Sequence, residues 1–565
     1  MQILKPIPIG IEDFKEIIDI GYYFVDKTLL IKDLIDNRAK VSLITRPRRF
    51  GKTLNMSMIQ RFFENTKESN AYLFENLKIS KEGEQYLKYQ GKYPVITLSL
   101  KSLKQENFDY ALYQFEQVIT SEFARHSHIL KSNKLSPNNR KKFEEIYTGN
   151  VSDKTMFYTS LKLLSECLNE VTQEKVVVLI DEYDVPLENA YFCGFYDKMV
   201  NFIRSLFESV LKTNSSLEFA VLTGCLRISK ESIFTGLNNM RVYPITESVL
   251  SQYYGFTQEE VEKIVKEYDL TERISEMKQW YDGYIFGENE IYNPWSIIQY
   301  IASAKSNNKI SCKPYWINTS SNSIIHQLIS QSDEKTKKKI EELISGGSIK
   351  AVINENTVYS DIDVNNEDIW SFLLFTGYLK QINSEIVNDN TVSELVIPNV
   401  EIRSVYKNVI VRWFEESVRN NGTSEIFDAM LSEDTEKMED EISKWLRKSI
   451  SYHDTKENFY HGFLAGLLTG RDGYEVKSNR ENGNGRSDIT VCEYSQRKVA
   501  VIFEVKPADS FKQLEEKCEQ ALKQIEEEKY AQQFIDDCYK KVISYGIAFS
   551  GKSCKVKIGK TLYYK

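Results

Sequence analysis

Short apolar runs separated by stretches of helical spacing dominate the N-terminal half of the chain. A continuous run of about four to eight apolar residues indicates a strand that is buried on both faces. Such runs lie at 41–45, 93–100, 176–181, 217–222 and 240–245. Because helices separate them, we predict a parallel sheet with right-handed crossovers and an α/β fold.

The pattern changes to helices from Thr257 onward. Thr257 and Glu260 have the spacing of a capping box at the head of an amphipathic helix. Aromatic residues and turn formers are dense at 280–286, 292–296 and 315–321. They fit either a lid packed on the first domain or the core of a helical subdomain, and we favour the second for most of these side chains. Residues 340–390 then mix short strands and helices, and helices continue to about residue 449.

The C-terminal region has strand-length segments between helices. Helices are predicted at 456–468 and 510–534. Strands are predicted at 474–479, 486–492, 499–506 and 541–549, with a polar turn at 480–485. A helix, three antiparallel strands, a helix and a closing strand would make a compact frame that can support a metal site.

Length and composition indicate an ordinary folded protein. At 565 residues the chain is too long for one core, and 41% of its residues are hydrophobic and 27% charged. No apolar run reaches the roughly 18 residues that span a bilayer, and residues 1–10 lack the apolar segment of a secretory signal. We therefore expect a cytoplasmic protein with no membrane partner.

The spacing of the cysteines and histidines and the net charge limit the kinds of site that we expect in this chain. The eight cysteines include no C-x-x-C pair, and the five histidines show no helical H-x-x-x-H spacing. Both observations argue against a zinc site or a disulfide framework. The net charge of −8 gives no global basic field, so any binding of nucleic acid must use a local patch.

The segment Arg46-Pro-Arg-Arg-Phe-Gly-Lys-Thr53 joins the first strand to a predicted helix. It fits the P-loop pattern G-x-x-x-x-G-K-[ST] except at its first position. In this pattern the helix N-terminus and the lysine hold phosphate, so Gly51, Lys52 and Thr53 are candidates for phosphate and Mg²⁺ binding. Arg46 replaces the first glycine and must either follow another path or contribute charge.

The run Val176-Val-Val-Leu-Ile-Asp-Glu182 ends an apolar strand in two acids, as a Walker B motif does. Asp181 would hold the Mg²⁺ shell, and Glu182 would orient or activate the attacking water. The alternative is a strand end that happens to be acidic. Thr223 ends the next strand and is a candidate γ-phosphate sensor, although such threonines are more often turn formers. Arg227 is a candidate arginine finger in cis.

Charged residues in the C-terminal strands form a second candidate site. If the hairpin turns near Ser495, Asp488 lies almost opposite Glu504. Lys506 shares the face of Glu504 because side chains in a strand have a period of two. Two carboxylates can bind one divalent cation, and the lysine can hold water or steady negative charge. The alternative is an edge strand with a surface ion pair, but acids inside a strand are costly without a metal or substrate.

Together the two sets of motifs resemble the bacterial AAA-ATPase-like family, in which a P-loop ATPase is joined to a C-terminal nuclease-like domain of the PD-(D/E)XK superfamily. The markers are Tyr22-Tyr-Phe-Val-Asp-Lys-Thr28, the Arg46–Thr53 loop, Leu179-Ile-Asp-Glu-Tyr-Asp184, Tyr292-Asn-Pro-Trp-Ser296, Gly485-Arg-Ser-Asp-Ile489 and Phe503-Glu-Val-Lys506. The resemblance covers nearly the whole chain, and the Arg46 form of the loop looks like the family's own. We therefore predict a P-loop NTPase sheet in 1–255, a mostly helical lid or linker in 256–450 and a restriction-endonuclease-like α/β domain in 451–565.

The resemblance also implies cofactors and roles for individual residues. It implies ATP with Mg²⁺ at Lys52, Thr53, Asp181 and Glu182, and we also predict that Arg49, Phe50, Gly51 and Thr223 bind the nucleotide. A metal-dependent nuclease site would use Asp488, Glu504 and Lys506, with Mg²⁺ or alternatively Mn²⁺. Glu457, one helical turn before His461, would be the helix acid that completes the metal ligands. Gln524 matches the glutamine on the helix after the E-x-K strand.

Two functions of different classes follow. The first is an ATP-binding and hydrolysing protein whose nucleotide state controls a metal-dependent nuclease acting on DNA or RNA. The second is a nucleotide-dependent switch whose nuclease-like domain holds nucleic acid or a protein without cutting. The acidic net charge slightly favours the second. The choice between DNA and RNA, and assembly into an oligomer, stay open.

Overall fold

The structure is a computed structural model, and it describes residues 4–227, 233–234, 239–306, 310–316, 333–355, 367–406, 424–448, 457–468, 471, 473–482 and 485–564. The chain folds as two compact units. The first comprises Met1–Ser321 and Ser348–Val405, and the second comprises Asn322–Gly347 and Tyr406–Lys565. The region predicted as a helical middle part, 256–450, contributes to both units. The predicted domain boundaries at 255 and 450 stay predictions.

A five-stranded parallel sheet forms the centre of the first unit. Its strands are β1 (Val41–Thr45), β2 (Val95–Ser99), β3 (Val176–Asp181), β4 (Leu217–Gly224) and β5 (Met240–Tyr243). Every neighbouring pair is parallel, and the order across the sheet is β2-β3-β4-β1-β5. The predicted parallel sheet and the α/β class are therefore confirmed. The carboxyl ends of all five strands share one edge, where such sheets bind ligands.

The central strands are buried from end to end because helices cover the sheet. Every residue of β1 and β3 is buried, which explains their continuous apolar sequences. The helices of this part are Phe14–Ile20, Leu29–Asn37, Lys52–Phe63, Glu84–Leu87, Phe108–Arg125, Pro137–Thr148, Ser160–Thr172, Val185–Phe192 and Tyr196–Leu211.

Helices and two small antiparallel sheets make up the rest of the first unit. The helices are Gln258–Glu267, Ile274–Tyr281, Pro294–Ser306, Asp368–Phe375 and 400–406. The strands are β6 (Tyr284–Phe286), β7 (Asn289–Ile291), β8 (Ile349–Val352), β9 (Lys380–Val387) and β10 (Asn390–Val396). The predicted capping box of Thr257 and Glu260 is present. Tyr281 and Tyr292 are buried in one core cluster, as the core interpretation of the aromatic segments predicts.

A six-stranded mixed sheet forms the centre of the second unit. Its strands are β11 (Tyr474–Asn482), β12 (Gly485–Glu493), β13 (Val499–Pro507), β14 (Lys541–Ser550), β15 (Ser553–Ile558) and β16 (Leu562–Tyr563). β11, β12 and β13 are antiparallel, and β14 runs parallel to β13. The helices are Glu334–Ile344, Ser424–Ser432, Thr435–Lys448, Glu457–Leu467, Leu514–Glu527 and Tyr530–Asp536. Within the described residues, no helix combines the length and apolar content that crossing a bilayer requires.

Three details predicted for the C-terminal frame are wrong. The single helix predicted at 510–534 is two helices, because Lys529 adopts a left-handed φ of 54° between them. The strand at 541–549 does not close the unit, since β15 and β16 both pair with it. The predicted turn at 480–485 is shorter, since β11 continues to Asn482 and pairs there with Gly485.

Candidate functional site

The loop that follows β1 borders a cavity of about 720 Å³ in the first unit. Residues 48–55 form one wall, and Glu182, Trp295 and parts of the N-terminal segment form others. A cavity of this volume is large enough for a nucleotide. The loop therefore lies where a parallel α/β sheet binds its ligand, at the carboxyl ends of the strands.

Gly51 turns the chain from this loop into the helix Lys52–Phe63. Its φ of 82° lies in the left-handed region, which glycine adopts without strain. The free N–H groups of the first helical turn and the positive end of the helix dipole are therefore presented beside the cavity. This is the local geometry that stabilises a bound anion.

Lys52 lines the cavity, but its side chain is hydrogen-bonded to the backbone of the loop. Only 4% of its surface is exposed. Its Nζ donates hydrogen bonds to the carbonyl oxygens of Arg46 at 3.0 Å and Pro47 at 2.9 Å, and it lies 3.7 Å from Cys225 Sγ. Phosphate oxygens accept stronger, charge-assisted bonds from an ammonium group than carbonyl oxygens do, so a triphosphate can replace these partners.

Thr53, Asp181 and Thr223 form a hydrogen-bonded group in which Asp181 and Thr223 are buried. Thr53 Oγ1 donates to Asp181 Oδ2 at 2.7 Å, and Thr223 Oγ1 donates to Asp181 Oδ1. The two hydroxyls fix the orientation of the carboxylate at the end of β3. Thr223 is fully buried against Asp181, and it is not among the described residues that line the cavity. Its position suits support of Asp181 better than direct sensing of phosphate.

Glu182 lines the cavity directly after Asp181. Its backbone adopts a left-handed φ of 54°, a strained conformation for a residue with a side chain. Burial raises the pKa of the Glu182 carboxyl, and the positive charge of Lys52 opposes this rise. A carboxyl group with a raised pKa is a better proton acceptor near neutral pH.

Arg46 follows another path, the first of the two alternatives that the sequence left open. Its side chain is fully buried, and Nη1 donates to the carbonyl oxygens of Thr45 and Tyr243, each at 2.7 Å. The guanidinium lies 5.3 Å from the ring centroid of Tyr254 and 5.4 Å from that of Phe286. Burial lowers the pKa of Arg46 to about 10. Arg46 therefore stabilises the loop from the protein interior, through its hydrogen bonds to backbone carbonyls.

Arg49 and Phe50, both predicted to bind nucleotide, point in different directions. The Arg49 guanidinium lies 4.3 Å from the ring centroid of Trp295, and both residues line the cavity. The Phe50 side chain is fully buried, with its ring centroid 4.9 Å from that of Tyr284 and 5.1 Å from that of Phe286. Any part of Phe50 in nucleotide binding therefore falls to its backbone.

Arg48 and Arg227 each have an acidic partner. Arg48 forms an ion pair with Glu188, on the helix that follows the Walker B strand. Arg227, the predicted arginine finger, lies 3.9 Å from Glu355 and is absent from the described lining of the cavity. Arg48, by contrast, does line the cavity.

Trp295, Trp316 and Glu401 support the cavity, although sequence reasoning assigned none of them a role. Glu401 accepts hydrogen bonds from Ser296 Oγ at 2.8 Å and from the backbone N–H groups of Tyr315 and Trp316 at 2.7 and 2.9 Å. Trp316 Nε1 donates to the Arg48 carbonyl oxygen at 3.4 Å. The signal in the sequence was the dense aromatic segment, which fitted a lid as well as a core.

In the second unit, Asp488 and Glu504 lie together one position beyond the last paired residues of β12 and β13. Asp488 Oδ2 accepts a hydrogen bond from the Val505 N–H at 2.8 Å. Lys506 Nζ donates to Glu504 Oε1 at 3.0 Å. The structure thus brings together the three residues that the sequence proposed for the second site.

The Glu504 carboxylate is buried and incompletely satisfied. The residue is 1% exposed, and its Oε2 has no hydrogen-bond partner among the residues that the structure describes. Burial and, next, the charge of Asp488 raise the pKa of Glu504 to about 7, while Lys506 opposes the rise. An unpartnered carboxylate oxygen beside a second carboxylate is a donor set for a hard divalent cation. The residues present therefore fit Mg²⁺ or Mn²⁺.

The helices beside this site contribute further polar groups. His461 Nε2 lies 2.6 Å from the Asp488 carbonyl oxygen, and Gln524 Nε2 donates to the Tyr530 hydroxyl at 3.3 Å. Glu457 begins the helix of His461, but its side chain lies outside the described residues. No group of three or more His, Cys, Asp and Glu residues that could hold a metal occurs in the part of the chain that the structure describes. The third-ligand role of Glu457 stays a prediction.

Two regions of the chain match families of known proteins. Residues 8–234 match the family described as Predicted AAA-ATPase, and residues 455–558 match the PD-(D/E)XK nuclease superfamily. The chain is also 24% identical over 507 residues to a protein of Azotobacter chroococcum mcd 1 described as "Uncharacterized protein in vnfD 5'region", with 86% of this chain and 87% of that relative covered. The chain thus carries a predicted AAA-ATPase domain followed by a C-terminal domain of the PD-(D/E)XK nuclease superfamily.

Proposed function

We propose that the first unit binds and hydrolyses ATP. The observation that supports this best is the grouping of Lys52, Thr53, Asp181 and Glu182 beside a cavity of nucleotide size. Lys52 and the N–H groups that follow Gly51 bind the β- and γ-phosphate oxygens. Mg²⁺, held by Thr53 and through Asp181, would neutralise charge on these phosphates.

Glu182 is the residue that handles the attacking water. Hydrolysis joins the water oxygen to the γ-phosphorus, and the bond from phosphorus to the bridging oxygen breaks as ADP leaves with its electron pair. Glu182 orients the water and accepts its proton, a role that its raised pKa suits. The inorganic phosphate then takes the proton, so Glu182 returns to its starting state.

The second unit, in our proposal, cuts phosphodiesters in DNA or RNA. The supporting observation is the buried Glu504 Oε2, which lies beside Asp488 and Lys506 and finds no hydrogen-bond partner within the described part of the chain. Asp488 and Glu504 would hold Mg²⁺ or Mn²⁺, which supplies Lewis-acid polarisation of the scissile phosphate when bound. Lys506 steadies the negative charge that develops on the phosphorus oxygens while water attacks and the ester oxygen leaves.

The nucleotide site is tested by Lys52→Ala in the full chain. We expect this variant to lose ATP binding measured by titration calorimetry, because the ammonium that meets the phosphates is gone. Lys40→Ala is a matched control, since Lys40 Nζ also donates to two backbone carbonyls, those of Leu217 and Glu218, and is outside the described cavity lining. Equal ATP affinity in wild type and Lys52→Ala would remove the proposal.

The nuclease site is tested by Glu504→Gln and Lys506→Ala with plasmid, single-stranded DNA and RNA in Mg²⁺ or Mn²⁺. We expect both variants to lose cleavage, since one removes a metal ligand and the other the cation at the phosphate. Lys477→Ala is the control, because Lys477 pairs at 2.8 Å with Glu475 at the same E-x-K spacing on β11, where both side chains are exposed. Its cleavage should equal that of wild type.

The alternative function gives a different outcome in the same assay. A nucleotide-dependent switch with a non-cleaving domain would bind ATP through Lys52 yet leave every nucleic acid intact in either metal. Carboxylate-dependent binding of Mn²⁺ to the full chain, absent in Glu504→Gln, supports cleavage chemistry, and its absence supports the switch.

A further inference from the structure

The loop between β1 and the helix Lys52–Phe63 carries three arginines, and each has different neighbours. Arg46 lies behind the loop against the Tyr243 carbonyl, and Arg49 lies on the ring of Trp295. Arg48 extends toward the Walker B side, where it meets Glu188. Among these three, Arg48 and Arg49 line the cavity.

The charge of Arg48 acts at the end of the cavity where the γ-phosphate would lie. Burial raises the pKa of Glu182 and that of Cys225, and the charges of Lys52 and Arg48 both oppose this rise. Glu182 follows β3 and Cys225 follows β4, the neighbouring strand. A guanidinium that lines the same cavity as the P-loop lysine, and whose charge acts on the proposed water-orienting glutamate, is positioned for the terminal phosphate.

The contacts of Arg48 allow its side chain to change partner while the loop stays in place. The Arg48 carbonyl is held by Trp316 Nε1 at 3.4 Å, independently of the side chain. The Arg48 side chain is 23% exposed and that of Glu188 is 10% exposed. Glu188 is buried but Arg48 is within reach of solvent, and a terminal phosphate offers a guanidinium more negative charge than one carboxylate does.

We propose that Arg48 is a catalytic residue supplied in cis, which leaves Glu188 when a nucleoside triphosphate binds and stabilises the negative charge on its γ-phosphoryl oxygens during hydrolysis. Glu188 is then a positioning residue that holds Arg48 in the nucleotide-free protein. The contribution of Arg48 is electrostatic, so no bond to it forms or breaks and its proton count does not change. This inference rests on the proposed ATPase function.

The test compares wild type, Arg48→Ala and Arg61→Ala in steady-state ATP hydrolysis and in equilibrium binding of ADP and of a non-hydrolysable ATP analogue. We expect Arg48→Ala to lower kcat by about 10³-fold, because an arginine at the γ-phosphate typically raises kcat by at least that factor. It should weaken analogue binding and leave ADP affinity within about threefold, since ADP has no γ-phosphate. Unchanged kcat in Arg48→Ala would overturn the inference.

Arg61→Ala controls for the loss of an arginine ion pair. Arg61 pairs with Asp13 at 2.8 Å, its side chain is 24% exposed, and it is outside the described lining of the cavity. We expect its kcat to stay within about twofold of wild type, because such partly exposed pairs contribute little. An equal loss of kcat in Arg61→Ala and Arg48→Ala would assign the effect to general destabilisation and overturn the inference.

Variants of Glu188 keep the test decisive if Arg48→Ala folds poorly. Glu188→Gln removes the charge that attracts Arg48 toward the helix Val185–Phe192, so the ratio of analogue affinity to ADP affinity should rise, by up to about fivefold. The double variant Arg48→Ala/Glu188→Ala leaves no unpaired charge and should retain the loss of kcat. An unchanged affinity ratio in Glu188→Gln, or a normal kcat in the double variant, contradicts the inference.

Mixing Arg48→Ala with Lys52→Ala distinguishes an arginine in cis from one supplied by a second copy. With the arginine in cis, the mixture should show no more hydrolysis than the two variants alone. Recovery of hydrolysis would mean that Arg48 acts in trans, which contradicts the inference. If wild type does not bind ATP at all, the proposed ATPase function fails. If wild type and Arg48→Ala both hydrolyse ATP at the same rate, the ATPase function stands and only the role of Arg48 is rejected.

Discussion

Glu401 is a buried residue that helps to position two tryptophans, Trp295 in the lining of the cavity and Trp316 beside the loop after β1. Its carboxylate holds Ser296, the residue after Trp295, and the backbone of Trp316. The ring of Trp295 in turn contacts the Arg49 guanidinium, and Trp316 Nε1 donates a hydrogen bond to the Arg48 carbonyl oxygen. Burial raises the pKa of Glu401 to about 7, so its ionisation falls within the physiological range.

We predict that Glu401 makes the stability of the first unit depend on pH. The folded protein keeps a proton on Glu401 that the unfolded chain releases above its ordinary pKa of about 4.5. The free energy of unfolding therefore falls as pH rises from about 4.5 to about 7 and then levels off, by on the order of 3 kcal/mol. Glu401→Gln should remove this part of the pH dependence in urea unfolding followed by tryptophan fluorescence. A constant difference between wild type and variant from pH 5 to pH 8 would show that Glu401 does not titrate there.

The sequence identified residues whose roles depend on local spacing, such as Lys52, Thr53 and Asp181. It did not identify Trp316 or Glu401, because their roles come from contacts across large sequence separations. Trp316 meets the Arg48 carbonyl across 268 positions, and Glu401 meets Ser296 across 105. The sequence also did not predict where the side chain of each loop arginine points, because this depends on which partner the fold places nearby.

At the scale of elements, the helix Leu514–Glu527 lies unusually close to β14. A Cβ atom added to Gly546 would lie 2.5 Å from the Cys518 carbonyl oxygen and 2.9 Å from Leu522 Cγ. The missing side chain therefore lets the helix backbone approach the strand beside β13, which carries Glu504. This close approach helps to bury the proposed metal site.

We predict that Gly546→Ala destabilises the second unit by about 1–3 kcal/mol, because the added methyl group meets backbone that cannot move away. Gly462→Ala is the control, since Gly462 is exposed within the helix Glu457–Leu467 and has open space around it. That change should stabilise the protein by about 0.5–1 kcal/mol, because alanine favours helix over glycine. Thermal or urea unfolding should give opposite signs, and a neutral Gly546→Ala would contradict the close packing.

Periodicity and turn residues predicted most elements of both sheets, because the strands alternate or are wholly apolar. The break at Lys529 was not predicted, since a lysine in the left-handed region leaves no signal in the sequence. β15 and β16 were missed as well. β16 has only two residues, too few for a pattern, whereas β15 does alternate apolar Cys554, Val556 and Ile558 with polar residues and was overlooked.

At the scale of the whole molecule, one chain carries two sites that each have their own sheet and core. The first unit holds the P-loop group around Lys52, and the second holds the carboxylate pair of Asp488 and Glu504. The family matches assign an ATPase type to one region and a nuclease type to the other. We infer that nucleotide state controls cleavage, since this gives a reason for both sites to occur in one chain.

The most direct measurement is cleavage of plasmid and single-stranded nucleic acid by the full chain in Mn²⁺, with and without ATP, for wild type, Lys52→Ala and Asp488→Ala. We predict that wild type cuts at a rate that changes with ATP, that Lys52→Ala cuts without responding to ATP, and that Asp488→Ala does not cut. Failure of wild type to cut any nucleic acid, or undiminished cleavage by Asp488→Ala, would contradict this prediction.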